Sequence, residues 1–430
     1  MAGPATLPTQ LAKTAIDPHA YAEWDSLLDT FDHIRSTTPV ALVKPDEEDL
    51  FDPFWLITRY EDVMRISKDN ASFLNNPRPV VFSFKQAIEF SRAATGSNML
   101  VDSLVVFDAP IHPKYRKLTQ DWFMPRNLAK MEDEIRSIAA RTVDRMLDAG
   151  PEFDFVKTVS GPYPLHVVMQ ILGVPEQDEP RMQMLTQQLF GGQDKDLSGS
   201  GMDKMTPEQV VQLVAGAVKT FEDYFANLAA LRRANPTDDV ASVIANALVD
   251  GAPLPDRDMA GYYIIVATAG HDTTSASTAG AMMALAQDPE QFARVKADRS
   301  LLSGIVEEAI RWTSPVQHFM RTAAADVEIG GQQIKKGDWM MINYVAANHD
   351  PAQFDDPRRF DATRSPNRHL AFGAGAHQCL GLHLARLEMR ILFEALLDRI
   401  ESVKLAGEPE RATSTFVGGL KSLPLRIVNT

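Results

Sequence analysis

The segment that most constrains the fold lies between residues 372 and 400. A glycine-rich stretch, Phe372–Gly373–Ala374–Gly375–Ala376–His377–Gln378–Cys379–Leu380–Gly381, runs directly into an apolar-periodic segment, Leu380–Ile400. Leu380, Leu384, Leu387 and Ile391 form one series, and Met389, Phe393, Leu396 and Ile400 form another. Both step by three and four, the helical period. A helix with two apolar stripes must be covered on more than one side, which demands a large core built mostly of helices. The chain can supply one, since it has 430 residues of which 45% are hydrophobic. No Gly/Ser- or Pro-rich linker divides it, so the expectation is one compact unit over residues 1–430.

The rest of the chain agrees with a mainly α fold carrying a minor β component. Pro255–Leu285 predicts one long, largely buried helix, because Ala, Ile, Val and Met occupy several of its faces. Pro113–Phe123, Leu128–Leu147 and Leu301–Trp312 predict others, and Thr206–Pro207–Glu208 opens a further one with a Thr cap and Pro at the first helical position. Residues 54–58 (FWLIT) read as a strand and 60–68 as the helix after it. Residues 326–343 alternate and turn at Gly-Gly and Lys-Gly, and read as hairpin strands. Residues 191–204 are polar and glycine-rich and read as a surface loop, while 72–105 carry no clear pattern.

Composition removes several functions. A formal net charge of −14 argues against nucleic acid or an anionic membrane surface as the main partner. One cysteine, Cys379, rules out an intrachain disulfide and fits a reducing, cytoplasmic compartment. No run approaches the ~18–20 apolar residues that span a bilayer. The opening MAGPATLPTQ has no basic region followed by an apolar stretch.

Cys379 admits several readings on its own. A lone cysteine is most often buried and structural. A zinc site could draw on His369, His377, Cys379 and His383, although closely paired ligands on each side are missing. A dinucleotide loop fails, because Gln378 stands where the third glycine belongs. The fourth reading is a thiolate ligand to haem iron. A helix N-terminus favours the thiolate, and glycines let backbone approach sulfur or a flat cofactor.

Residues 372–381 resemble the haem-binding signature of the cytochrome P450 superfamily at the aromatic, the glycines, the His before the ligand and the Gly after it. Two further segments carry the resemblance. Ala267–Thr274 (ATAGHDTT) is similar to the family's oxygen-activation motif. Read from its residues alone, it is a buried helix in which a Thr hydroxyl bonds back to the carbonyl four residues earlier and leaves a notch at Ala269–Gly270. Glu308 and Arg311, three apart in EEAIRW, are by themselves a surface ion pair. They are also similar to the family's E-x-x-R motif, with Pro357–Arg358–Arg359–Phe360 matching the segment that completes it.

The resemblance implies the cytochrome P450 fold, a triangular helical prism with a small β-rich region. Haem b would sit between the long central helix and the cysteine loop, in a single haem-thiolate domain with no fused reductase or ferredoxin. It implies Cys379 as the axial ligand, with Phe372, Gly373, Gly381 and Ala269 beside the porphyrin. It implies His112, Arg116, Arg321 and His377 on the propionates, Thr273 bonding dioxygen with Asp272 assisting proton delivery, and a buried Glu308–Arg311–Arg359 set. It further implies a monooxygenase of the soluble bacterial class that includes terpene hydroxylases, reduced by a [2Fe–2S] ferredoxin and its NAD(P)H-dependent reductase. Lys114, Lys117 and Arg126 are candidates for the docking patch, and a monomer is expected. Ile265, Ala269, Val316, Phe319, Phe416 and Val417 would form an apolar pocket suited to a monoterpene or alkyl-aromatic hydrocarbon. The alternatives are a haem protein that binds ligand without turnover and an enzyme for larger polycyclic or aromatic hydrocarbons.

Overall fold

Helices build most of the site, and periodicity places several of them to within a few residues. In chain order these are α1 (Ile111–Gln120), α2 (Glu132–Asp148), α3 (Pro162–Leu172), α4 (Glu179–Phe190) and α5 (Pro207–Ala234). They are followed by α6 (Asp256–Ala269), α7 (Asp272–Gln287), α8 (Leu302–Thr313) and α9 (Leu382–Arg399). The computed structural model describes residues 3–45, 52–78, 80, 85–198 and 205–429. Helix α5 starts where its cap predicts: the Thr206 hydroxyl accepts the Gln209 N–H, and the Gln209 side chain accepts the Thr206 N–H. Helix α9 packs against both α2 and α8, which accounts for its two apolar stripes.

One expectation needs correction. Pro255–Leu285 is not a single helix: it divides into α6 and α7 at Gly270–His271. Hydroxyls cause the break, because Thr273 Oγ1 donates to the Ala269 carbonyl (3.2 Å) and Thr274 Oγ1 to that of Gly270 (3.1 Å). Those bonds compete with the backbone ladder at one turn. Gly270 is also packed against Val168 of α3, whose Cγ2 would lie 2.6 Å from any added Cβ.

Five strands make the main sheet: β1 (Val40–Val43), β2 (Phe54–Ile57), β3 (Phe73–Leu74), β4 (His318–Ala323) and β7 (Trp339–Asn343), in the order β1–β2–β7–β4–β3. The predicted hairpin is real for β5 (Val327–Ile329) and β6 (Gln332–Ile334). Strand β7 leaves it to pair in parallel with β2 and antiparallel with β4. All five β7 residues are buried, as a strand covered on both faces requires. The β4–β7 register sets Arg321 opposite Met340. One apolar cluster fills the helical region, and two smaller ones flank the sheet.

Within 72–105 the chain forms β3 and a helix over Lys85–Thr95, with residues 79 and 81–84 outside the described set. The 191–204 segment is not simply a surface loop. Residues 199–204 lie outside the described set, but Gln193 and Asp194 are docked on the C-terminal turn. Among the described residues, no helix is long and apolar enough to cross a membrane.

Candidate active site

A cavity lies between the α6–α7 break and the cysteine loop. It encloses about 1550 Å³ of empty space, open solvent at its mouth included. Cys379 opens onto it. The loop around the sulfur is closed by Cys379 N–H donating to the Phe372 carbonyl at 2.8 Å. Gly375 is forced by space and backbone together: φ is +76°, and a Cβ would come 2.4 Å from the Ser67 carbonyl oxygen. Gly373, at φ +67°, turns the chain beneath the cavity. Gly381 has no such crowding; its backbone N–H bonds the Cys379 sulfur.

Burial pushes the Cys379 thiol up, while the Gly381 N–H and the Arg116 and Arg386 guanidinium groups pull it down. The net direction is upward. A cation on the cavity side would complete the stabilisation, as a metal does for a coordinating thiol. The zinc alternative finds no support, because no cluster of three or more metal-ligating side chains exists among the described residues. His369 instead contacts Glu307 (3.2 Å), and His377 lies against His112 with ring centroids 4.0 Å apart and planes tilted by 34°.

The four predicted propionate residues converge on the cavity wall. Burial lowers Arg116, against the pull of Cys379 and Tyr262, and lowers Arg321 as well. Arg321 Nη1 donates to the Met320 carbonyl at 2.8 Å, and its buried Nε has no protein partner. Burial, then Arg116, push His112 down to about 4. Burial, then His112, Arg321 and Arg116, push His377 down to about 2. At neutral pH the set therefore carries two guanidinium charges and two neutral imidazoles. That charge matches two carboxylates, and an orphaned guanidinium nitrogen calls for an acceptor. The residues present fit haem b.

On the opposite wall, Ile265, Ala269 and Thr273 project from the break, and Val316 and Phe319 from the residues opening β4. Asp272 does not share the cavity with Thr273: its side chain is 42% exposed and lies 3.0 Å from Nδ1 of buried His271. Phe416 and Val417 are corrected too. Neither lines the cavity; Val417 bridges to Val316, and Phe416 stands behind Phe319.

The buried ion set is real, but Arg359 is not its third side chain. Arg311 donates Nε and Nη2 to Glu308 at 2.8 and 2.7 Å, both side chains being wholly buried. Arg364 Nε reaches both Glu308 oxygens at 3.1 Å. Arg359 contributes only its carbonyl; its side chain is 65% exposed and pairs with Asp356 and Asp361. The turn over 355–359 aims its carbonyls inward, at Arg311 and Arg364, so the Arg359 side chain must point out.

Glu388 was missed altogether. It lies on the buried face of α9, four residues after Leu384, and reaches the cavity. Burial pushes it well above the usual carboxyl range, Thr274 opposing, and its Oε2 has no protein partner. A carboxylate interrupting an apolar stripe was the signal. Among the docking candidates, Lys114 is ion-paired with Asp250, whereas Lys117 and Arg126 are exposed.

Fold and site together define a haem-thiolate protein. The cytochrome P450 family model matches residues 98–420. Cytochrome P450-terp of a Pseudomonas species is 43% identical over 423 residues, covering 98% of each chain. Steroid C26-monooxygenase of Mycolicibacterium smegmatis is 34% identical over 86% of this chain and 82% of its own. The crystal structure of CYP108D1 from Novosphingobium aromaticivorans superposes with a TM-score of 0.92 at 62% identity, covering 99% of this chain and 100% of that one. CYP268A2 of Mycobacterium marinum, solved in complex with pseudoionone, gives 0.85 at 32% identity over 94% and 95%. The chain belongs to the cytochrome P450 family, whose members bind haem b through a cysteine thiolate and act as monooxygenases.

Proposed function

We propose that this enzyme hydroxylates a small hydrophobic substrate, a terpenoid or alkyl-aromatic hydrocarbon, with electrons from a [2Fe–2S] ferredoxin and its NAD(P)H-dependent reductase. The observation carrying it is the apolar share of the cavity lining. Apart from the four propionate residues and Glu388, much of its lining is apolar, with Ile265, Ala269, Val316 and Phe319 joining Thr273 around it. Likeness to cytochrome P450-terp and to the pseudoionone-bound CYP268A2 supports a terpenoid-sized ligand.

Haem b, when bound, supplies the activation of dioxygen and the oxidation of a C–H bond; the protein supplies position, dryness and protons. Cys379 would supply the thiolate that holds it. Arg116, Arg321, His112 and His377 hold and orient its carboxylates. The apolar wall holds the substrate and keeps bulk water out. Thr273 offers a hydroxyl at the notch, and Asp272, open to solvent beside His271, passes protons inward to it. Titrating the ferric enzyme with monoterpenes, alkylbenzenes and steroids, followed at the Soret band, tests the substrate class. Tight binding of steroids alone would overturn it in favour of a larger substrate. Thr273→Ala should keep NADH consumption but divert most of it to hydrogen peroxide. Unchanged yield of hydroxylated product would remove Thr273 from proton delivery.

A further inference from the structure

Phe319 presents its ring to the cavity from the second residue of β4. Two rings hold it edge-on: Tyr344 with centroids 6.3 Å away, and Phe416 at 5.5 Å and 71°. Phe416 is nearly buried and does not reach the cavity. Its ring also meets His318 (5.7 Å) and Phe190, the last residue of α4 (6.2 Å). An aromatic series, Phe190–Phe416–Phe319, thus runs from α4 to the cavity wall.

The turn bearing Phe416 is clamped on both sides. From β4 and the residue before it, Gln317 N–H donates to the Phe416 carbonyl (2.8 Å) and Gln317 Nε2 to that of Ser414 (2.6 Å), and His318 Nδ1 bonds the Thr415 carbonyl (2.8 Å). From the segment after α4, Gln193 Oε1 accepts the Thr415 N–H (2.9 Å) and hydroxyl (3.2 Å). The buried Asp194 carboxylate accepts the Thr413 N–H (2.8 Å) and pairs with Lys421 (3.3 Å). The turn has no slack towards the interior: a Cβ at Gly419 would come 2.4 Å from the Ala276 side chain of α7.

We infer that Phe416, Phe190 and Gln193, none of which touches the cavity, set the size of substrate it accepts by fixing the ring of Phe319. They are positioning residues, and selectivity is exerted from the segment after α4 through the C-terminal turn. The inference rests on the cavity being the substrate site, as proposed above.

The test is equilibrium titration of the haem-loaded enzyme with N-alkylimidazoles of graded chain length. These bind by nitrogen coordination whatever the natural substrate, so failure of the hydrocarbon panel and failure of this inference are read separately. Relative to wild type, Phe416→Leu should lower the ratio of long-chain to short-chain dissociation constants about tenfold, the effect of a methylene or so of pocket. Phe190→Leu and Gln193→Ala should lower it in the same direction by less, and Phe416→Tyr should restore most of the wild-type ratio. Three results would overturn the inference: an unchanged ratio, equal weakening for every chain length, or altered binding rates with unaltered constants. The last would make the clamp an entrance device only. A crystal structure of Phe416→Leu should show the Phe319 ring turned into the vacated space. An unmoved ring would overturn the mechanism even if the ratio changed.

Discussion

Arg364 and Arg359 are five residues apart in the same segment, and the structure assigns them opposite fates. Glu308 is completely buried and receives Arg311 on two nitrogens, Arg364 Nε on both oxygens, the Asp361 N–H (3.0 Å) and Asn367 Nδ2 (3.0 Å). Arg364→Met removes one of two cations and leaves a partly neutralised carboxylate in the interior. It also strips donors from the Asp355, Asp356 and Arg359 carbonyls. Breaking a buried pair from one side costs about 3–5 kcal/mol. Arg359→Met removes only exposed ion pairs, worth about 0–1 kcal/mol. The two variants should therefore differ by at least about 2 kcal/mol, some thirtyfold in the folding constant.

The assay is urea unfolding of both haem-loaded variants, followed by circular dichroism and at the Soret band, with haem content measured after purification. Arg364→Met should unfold at distinctly lower urea and lose haem, because the tethered residues 355–367 lead straight into the cysteine loop. Arg359→Met should be close to wild type. Coupling provides an internal check: Arg364→Met combined with Glu308→Gln should cost less than the two single losses added together. Equal damage from the two arginine variants, or additive losses, would refute the reasoning.

Three further outcomes are expected. Burial holds His318 down to about 4 and His349 to about 3, so the unfolded chain binds more protons below its ordinary histidine range near 6.5. Stability should hold above that pH and fall as the pH drops towards 4, by about 3 kcal/mol for each histidine; urea midpoints across pH 8 to 4 measure it, and His349→Asn should flatten the fall. Gly375→Ala, which needs φ +76° and meets the Ser67 carbonyl at 2.4 Å, should express with little haem, read as Soret absorbance per protein; full loading would refute the crowding argument. Reduction by a ferredoxin should slow as ionic strength rises if Lys117 and Arg126 steer docking, and a rate indifferent to salt would count against that patch.

Local chemistry was legible wherever it depends on sequence neighbours. The two stripes of α9, the capping box of α5 and the back-bonding threonines after Gly270 all act over three or four residues, the reach of one helical turn. The split between α6 and α7 was half legible. A bend followed from the hydroxyls, but the packing of Gly270 against Val168 of α3 is a contact across a hundred residues. Arg364 escaped notice for the same reason. Nothing near it in sequence separates it from Arg358 or Arg359; only the inward carbonyls of the 355–359 turn decide which guanidinium enters.

Phe416 shows the limit most clearly. Its type and place predicted a wall residue, and it falls one layer short because Phe319 takes the wall. Depth along a packing direction is set jointly by α4, the C-terminal turn and β4, and no pattern within any one of them encodes it. Cys379, Arg116, Arg321, His112 and His377, by contrast, were named together from the family resemblance, and all five line the cavity. A flat dianionic macrocycle restricts its surroundings far more than a small hydrocarbon does. The cofactor side of the cavity was therefore legible through motifs, and the substrate side becomes readable only from the order in which its layers stack.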